Sequence, residues 1–425
     1  MNPLILRPML WAATFAFPVL SGCAGIGGAS AAGAGATDAA AVPQVRVMNA
    51  DRLAATRARV MAGDPELLGS LETLVQLADA AIDEPMRSVA DKKDLPPSGD
   101  KHDYVSLSPY WWPNPDTPDG LPYIRKDGEF NPERDQYDVS KLGTFGTTVT
   151  RLSYAYYYTG DERYAEAAVM RLKHFLIDPE TRMRPRVQYG QFIPGVNNGR
   201  KYGIIETLRV RWVPDAVEML VGSEALTPEV LDGVRGWFGE YAHWLNTSEF
   251  GVAERDGDNN HATWCKAQIA NYAAFAGDLD TTRQMVELAR DSLTQQFEPD
   301  GTQPEELART RALDYSDFNL RGHSDLATLG EAVGVDLWHY QAEDGTALRK
   351  GYDWVLPYIT NEKEFPYQQI KKRKQKRYAE MLRRAAIAYN EPAFEAAVQG
   401  LEFDDETRMH LDLIWPLPEA FPAVK

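Results

Sequence analysis

Apolar residues recur at three- and four-residue steps along most of this chain. The clearest run opens at Thr227-Pro228-Glu229, where a capping hydroxyl, a proline suited to the first helical position and a first-turn acid mark a helix start. Val230, Leu231, Val234, Trp237, Phe238, Tyr241, Trp244 and Leu245 then share one helical face and predict a buried stripe. Residues 152–158, 165–176, 281–297 and 377–389 carry comparable patterns.

A weak repeat shows how these helices join. Gly160-Asp161, Gly277-Asp278 and Asn390-Glu391-Pro392 each come after an aromatic-rich helical run. Glycine or asparagine supplies a left-handed residue that ends one helix, and the acid or proline opens the next. Successive αα-hairpins of this kind predict an all-α fold, either an α/α toroid or a helical solenoid, with at most a small sheet. Two stretches break the pattern, 106–132 and 184–202, both rich in proline and aromatics. Irregular segments this long inside a compact fold are usually functional.

The N-terminus reads differently. One charge at Arg7 and an apolar run from Met9 to Leu20 fit an export signal over residues 1–22, and the run is too short to span a bilayer. Leu20-Ser21-Gly22-Cys23 resembles the bacterial lipobox, so Cys23 is the expected site of acylation, in an outer-membrane lipoprotein or periplasmic protein. An Ala/Gly-rich stretch over 23–45 reads as a tether, leaving 46–425 as the folded domain. With Cys23 lipidated, Cys265 has no disulfide partner, so the fold stands on its core.

The net charge of −17 argues against nucleic acid, whose phosphates call for basic faces. Membrane contact is expected only through the lipid, and the chain is expected to act as a monomer.

Four segments could carry chemistry. Lys101 and His102 precede an aromatic loop with Tyr110, Trp111 and Trp112 in a proline-rich setting, followed by Arg125. Aromatic faces stack on sugars and cations pair with carboxylates, although such a loop could equally plug one end of the fold. Asn260 and His261 open a helix, where backbone N–H groups favour negative charge; the commoner meaning of such a pair is a capping turn. The preceding Asp256-x-Asp258-x-Asn260 lacks the twelfth-position acid of a calcium loop. On one continuous helix, Arg309 and Tyr315 would share a face nearly two turns apart, and a tyrosine near arginines could titrate low and carry a proton. The basic run 371–377 is usually a solvated face, but could attract a polyanion or anionic lipid.

Together these segments resemble the alginate lyase superfamily of helical polysaccharide lyases. The resemblance rests on Tyr110-Trp111-Trp112-Pro113-Asn114-Pro115, on Asn259-Asn260-His261 followed by Trp264, on Arg309-Thr310-Arg311-Ala312-Leu313 followed by Tyr315, and on Phe365-Pro366-Tyr367-Gln368-Gln369-Ile370. It implies an α/α toroid with a cleft across one end and no cofactor; no metal is expected, because no set of His, Asp and Glu residues stands at metal-ligand spacing. By resemblance, Asn260 and Arg309 neutralise a uronate carboxylate, Arg311 being the alternative arginine. Tyr315 and His261 handle protons. Lys101, His102, Tyr110, Trp111, Trp112, Arg125, Tyr202 and Arg311 contact the substrate, an acidic polysaccharide such as alginate or, by the same mechanism, glucuronan. Two other readings compete: a glycoside hydrolase using Glu305 or Glu306, for which no second carboxylate is evident, and a non-catalytic polysaccharide-binding lipoprotein.

Overall fold

The computed structural model describes residues 42–372 and 374–424; the expected signal, Cys23 and most of the tether lie outside them. The end of the expected tether belongs to the folded body instead: Pro43 is buried, Val45 packs on the core, and Asp215 accepts from the backbone N–H groups of Arg46, Val47 and Met48.

The helices run α1 (Ala50–Met61), α2 (Leu68–Asp83), α3 (Asp138–Thr159), α4 (Glu162–Leu172), α5 (Val213–Glu218), α6 (Pro228–Thr247), α7 (Glu249–Arg255) and α8 (Asn260–Ala276). They continue with α9 (Leu279–Asp291), α10 (Leu293–Gln296), α11 (Pro304–Leu307), α12 (Ala312–Val333), α13 (Leu348–Ile359), α14 (Lys376–Tyr389), α15 (Pro392–Gln399) and α16 (Asp405–Met409). The hairpin turns form as the sequence predicts. Gly160, Gly277 and Asn390 end α3, α8 and α14 with φ of 72°, 91° and 49°, and the side chains of Asp161, Asp278 and Glu391 cap α4, α9 and α15.

The hairpins form an incomplete α/α toroid. α8 is buried along almost its whole length because α6, α9 and α12 pack around it, and α12 also meets α13 and α14. The outer helices show one buried face. On α6 that face is Val234, Trp237, Phe238, Tyr241 and Leu245, whereas Val230, Leu231 and Trp244 are only half-buried against it, so the stripe is narrower than expected. The pattern over 281–297 is two helices, α9 and α10, broken at Ser292.

Strands are few and sit in the irregular stretches: β1 (Val105–Leu107) pairs in parallel with β4 (Tyr189–Phe192), and β2 (Trp111–Trp112) pairs antiparallel with β3 (Ile124–Arg125). A 3₁₀ helix, Lys201–Val210, then runs across one end of the toroid. It lies close because glycine allows it: a Cβ on Gly203 would sit 2.6 Å from the Gly190 backbone, and one on Gly146 would sit 2.0 Å from Arg209 O. Larger residues there would push this strap off the end of the toroid.

Candidate active site

Asn260 and His261 are the first residues of α8, capped by the Asn259 side chain, which accepts from His261 N at 3.0 Å. The first N–H groups of a helix lack intrahelical partners. Glu306 supplies one here, accepting from Asn260 N at 2.7 Å and from Asn260 Nδ2 at 2.6 Å. Burial pushes the Glu306 carboxyl up to about 7, against the opposing pull of Asn260, His261 and Arg309. Glu254, also buried, lies 2.6 Å from His261 Nδ1. With that carboxylate as acceptor, Nδ1 holds the proton and Nε2 is left with its lone pair.

The helix expected through Arg309 is interrupted. Residues 308–311 form a turn between α11 and α12, because this stretch pairs with the Phe-Pro-Tyr-Gln-Gln-Ile segment: Gln368 O accepts from Ala312 N, Thr310 O accepts from Ile370 N, and Arg311 bridges Gln369. The turn brings Arg309 and Tyr315 together all the same. Arg309 Nη2 lies 2.9 Å from both Tyr315 Oη and Asp127 Oδ1, and its guanidinium sits 3.9 Å from the Tyr315 ring centre. Tyr110 Oη is 2.8 Å from Tyr315 Oη. The Tyr315 phenol does not titrate low. Burial and the neighbouring Tyr110 push it well above its ordinary value despite Arg309, so it is protonated in the resting protein.

Tyr110, Asn260, His261, Arg309 and Tyr315 line one cleft of about 680 Å³ with Trp111, Arg125, Gln191 and Tyr202. Its charge is what composition concealed. Arg125, Arg134, Arg200, Arg209, Arg211 and Arg309 line it against a single carboxylate, Glu206. Among the described residues Arg200 and Arg209 have no carboxylate partner: Arg200 bonds Ser108 and Gln191, and Arg209 bonds Glu206 O. Burial lowers Arg200 to about 10, which still leaves it charged at neutral pH. The sequence reading missed Arg134, Arg200, Arg209, Arg211, Gln191 and Glu254. The sequence signal for Gln191 and Arg200 was the irregular stretch 184–202 that holds them; the structure adds that Gln191 takes a left-handed φ of 51° there.

Four expected contacts are not in the cleft. Lys101 pairs with Glu180, and His102 lines a separate cavity beside Arg182 and Trp237, its Nδ1 bonded to Arg182 O. Trp112 points its Nε1 at Glu129 O and lies 5.1 Å under Lys126 Nζ. Arg311 is held by Asp314, which leaves Arg309 as the arginine facing the cavity. No group of three or more metal-ligating side chains occurs among the described residues.

The profile described as alginate lyase matches residues 88–365. The chain belongs to the alginate lyase family. This lyase is similar to the solved structure of an alginate lyase from Bacteroides ovatus, at 39% identity and a TM-score of 0.84, over 89% of this chain and 100% of that one. Alginate lyase A1-III from Sphingomonas species A1 shares the fold at 16% identity and a TM-score of 0.56, over 90% of this chain and 100% of that one. An A1-III variant complexed with a tetrasaccharide shares it at 15% and 0.58, over 91% and 100%. No curated protein matches this lyase. Family and structure together make it a polysaccharide lyase, and among the described residues lining the cleft Glu206 is the single carboxylate, where a hydrolase would need two.

Proposed function

We propose that this lyase cleaves alginate, mannuronate blocks foremost, by β-elimination, leaving an unsaturated uronate at the new end. The observation that carries this is the arginine-lined cleft in a protein of net charge −17, with Asn260, His261, Arg309 and Tyr315 among the residues lining it.

Removing the C5 proton places negative charge on a carbon beside a carboxylate. Arg309 and the Asn260 amide are the groups that neutralise that carboxylate, and their bonds strengthen as charge develops. In mannuronate the C5 proton and the C4 oxygen lie on one side of the ring, so one residue can serve both. Tyr315 rests protonated, and His261 Nε2 is the acceptor in the cleft that receives its proton. Arg309 and Tyr110, both within hydrogen-bond distance of Tyr315 Oη, stabilise the phenolate. The phenolate takes the C5 proton and hands it to the C4 oxygen as the C4–O bond breaks; the proton on His261 is then returned or lost to water. In guluronate the two positions lie on opposite faces, so His261 takes the C5 proton and Tyr315 gives its own to the leaving oxygen. Cys23, by its lipobox, anchors the exported enzyme; Cys23→Ala should release it from membranes in soluble form, and unchanged attachment would refute the anchor.

Ultraviolet absorbance of the new conjugated double bond tests the substrate, with polymannuronate, polyguluronate and glucuronan compared at equal uronate concentration. Fastest release from polymannuronate is expected. A faster rate on glucuronan would overturn alginate as the substrate.

A further inference from the structure

The chain after Ile370 is placed by the cleft. Thr310 O accepts from Ile370 N at 3.0 Å and Gln369 bridges Arg311, so this segment runs beside the residue next after Arg309. A Cβ on Gly128 would come within 3.0 Å of Ile370 and 2.7 Å of Thr310 Oγ1, which sets the turn carrying Arg125 and Lys126 against the same edge. Lys371 comes directly after the bridge. Lys371, Lys372 and Lys374 are exposed, and none has an ion-pair partner among the described residues. Two later cations of the run are neutralised: Lys376 pairs with Asp404, and Arg377 with Asp314 and Asp317. Three ammonium groups without an ion-pair partner among the described residues therefore follow directly on the segment bonded to Thr310, beside the lip of the cleft that Arg309 lines, in an otherwise acidic protein.

We propose that Lys371, Lys372 and Lys374 form a distal binding site for the polyuronate chain, holding carboxylates of sugars beyond those over Asn260 and Arg309. This rests on the polyuronate-lyase reading of the cleft. A chain emerging from the cleft past Arg309 meets these lysines next, and its regularly spaced carboxylates suit a short row of flexible cations. Tyr367 and Ile370, both exposed, flank the row and offer apolar surface to a sugar face. An anionic lipid surface seated on this lip would cover the cleft mouth, which disfavours it as the partner.

The test uses the full chain carrying Lys371→Gln, Lys372→Gln and Lys374→Gln together. Three exposed ion pairs of ordinary strength predict a roughly 3- to 150-fold rise in KM on long polymannuronate. kcat should be unchanged, the salt dependence of KM should flatten, and a tetramer too short to reach the lysines should be cleaved as before. Retention on immobilised polymannuronate, which needs no turnover, should fall in parallel. An unchanged KM on polymer, or an equal rise on tetramer and polymer, overturns the proposal. So does loss of binding to phosphatidylglycerol vesicles with polymer binding intact, which would assign the lysines to lipid. Absence of unsaturated ends with every polymer would count against the lyase reading, while retention still reports on the lysines.

Discussion

Replacing Glu306 with glutamine removes a charge that the fold holds at a cost. The carboxyl is 2% exposed, and burial raises it from the ordinary 4.5 to about 7 although two Asn260 N–H groups point at it. A folded-state value above the unfolded one means the native state binds this proton more tightly. Its stabilising contribution is complete below pH 4.5 and is lost as pH rises through about 7. A shift from 4.5 to about 7, at about 1.4 kcal/mol per unit, amounts to roughly 3 kcal/mol. Glutamine keeps an oxygen for Asn260 N. Its amide can donate to Asn260 Oδ1, which has no hydrogen-bond partner, once the Asn260 amide turns over. Urea unfolding of both proteins across this range should show wild type losing roughly 3 kcal/mol relative to Glu306→Gln, with no further divergence above it. Parallel stability curves, agreeing within about 1 kcal/mol, would refute the reasoning. Glu306→Ala serves as the control: it orphans two N–H groups and should be less stable than Glu306→Gln at every pH, by about 1–3 kcal/mol for each buried group.

The site leads to three further outcomes. Tyr315→Phe should lower kcat by roughly 10²–10⁴-fold with folding intact by circular dichroism, and a variant keeping a tenth of wild-type turnover would exclude Tyr315 as the proton donor. Glu254→Gln should cost roughly ten- to a hundredfold in kcat with KM little changed, because His261 loses the carboxylate that fixes its tautomer; a shift confined to KM would mean that Glu254 only shapes the cleft. Activity should persist through exhaustive chelation, since Arg309 and Asn260 can neutralise the carboxylate themselves; loss with EDTA and recovery with calcium would reassign that role.

The sequence by itself determined the hairpins. Whether Gly160 or Gly277 takes a left-handed conformation, and whether Asp161 or Asp278 caps the next helix, is decided by sterics and hydrogen bonds within a few residues. The motifs at Asn260-His261 and Arg309-Tyr315 were legible for a related reason, since each keeps its chemical groups close together in the chain. Proximity in sequence misled elsewhere: Lys101 and His102 precede the aromatic loop yet turn to Glu180 and Arg182. Tertiary structure alone decided which arginines share the cleft: Arg200, Arg209 and Arg211 lie on or beside one strap, and they meet the distant Arg125, Arg134 and Arg309 only when that strap closes over the toroid end at Gly146 and Gly190. It also decided the protonation of Tyr315, against the expectation from neighbouring arginines. A cation lowers a phenol only when its attraction exceeds the desolvation cost of the charge, and how much water is excluded depends on packing by distant segments such as Tyr110 and Asp127.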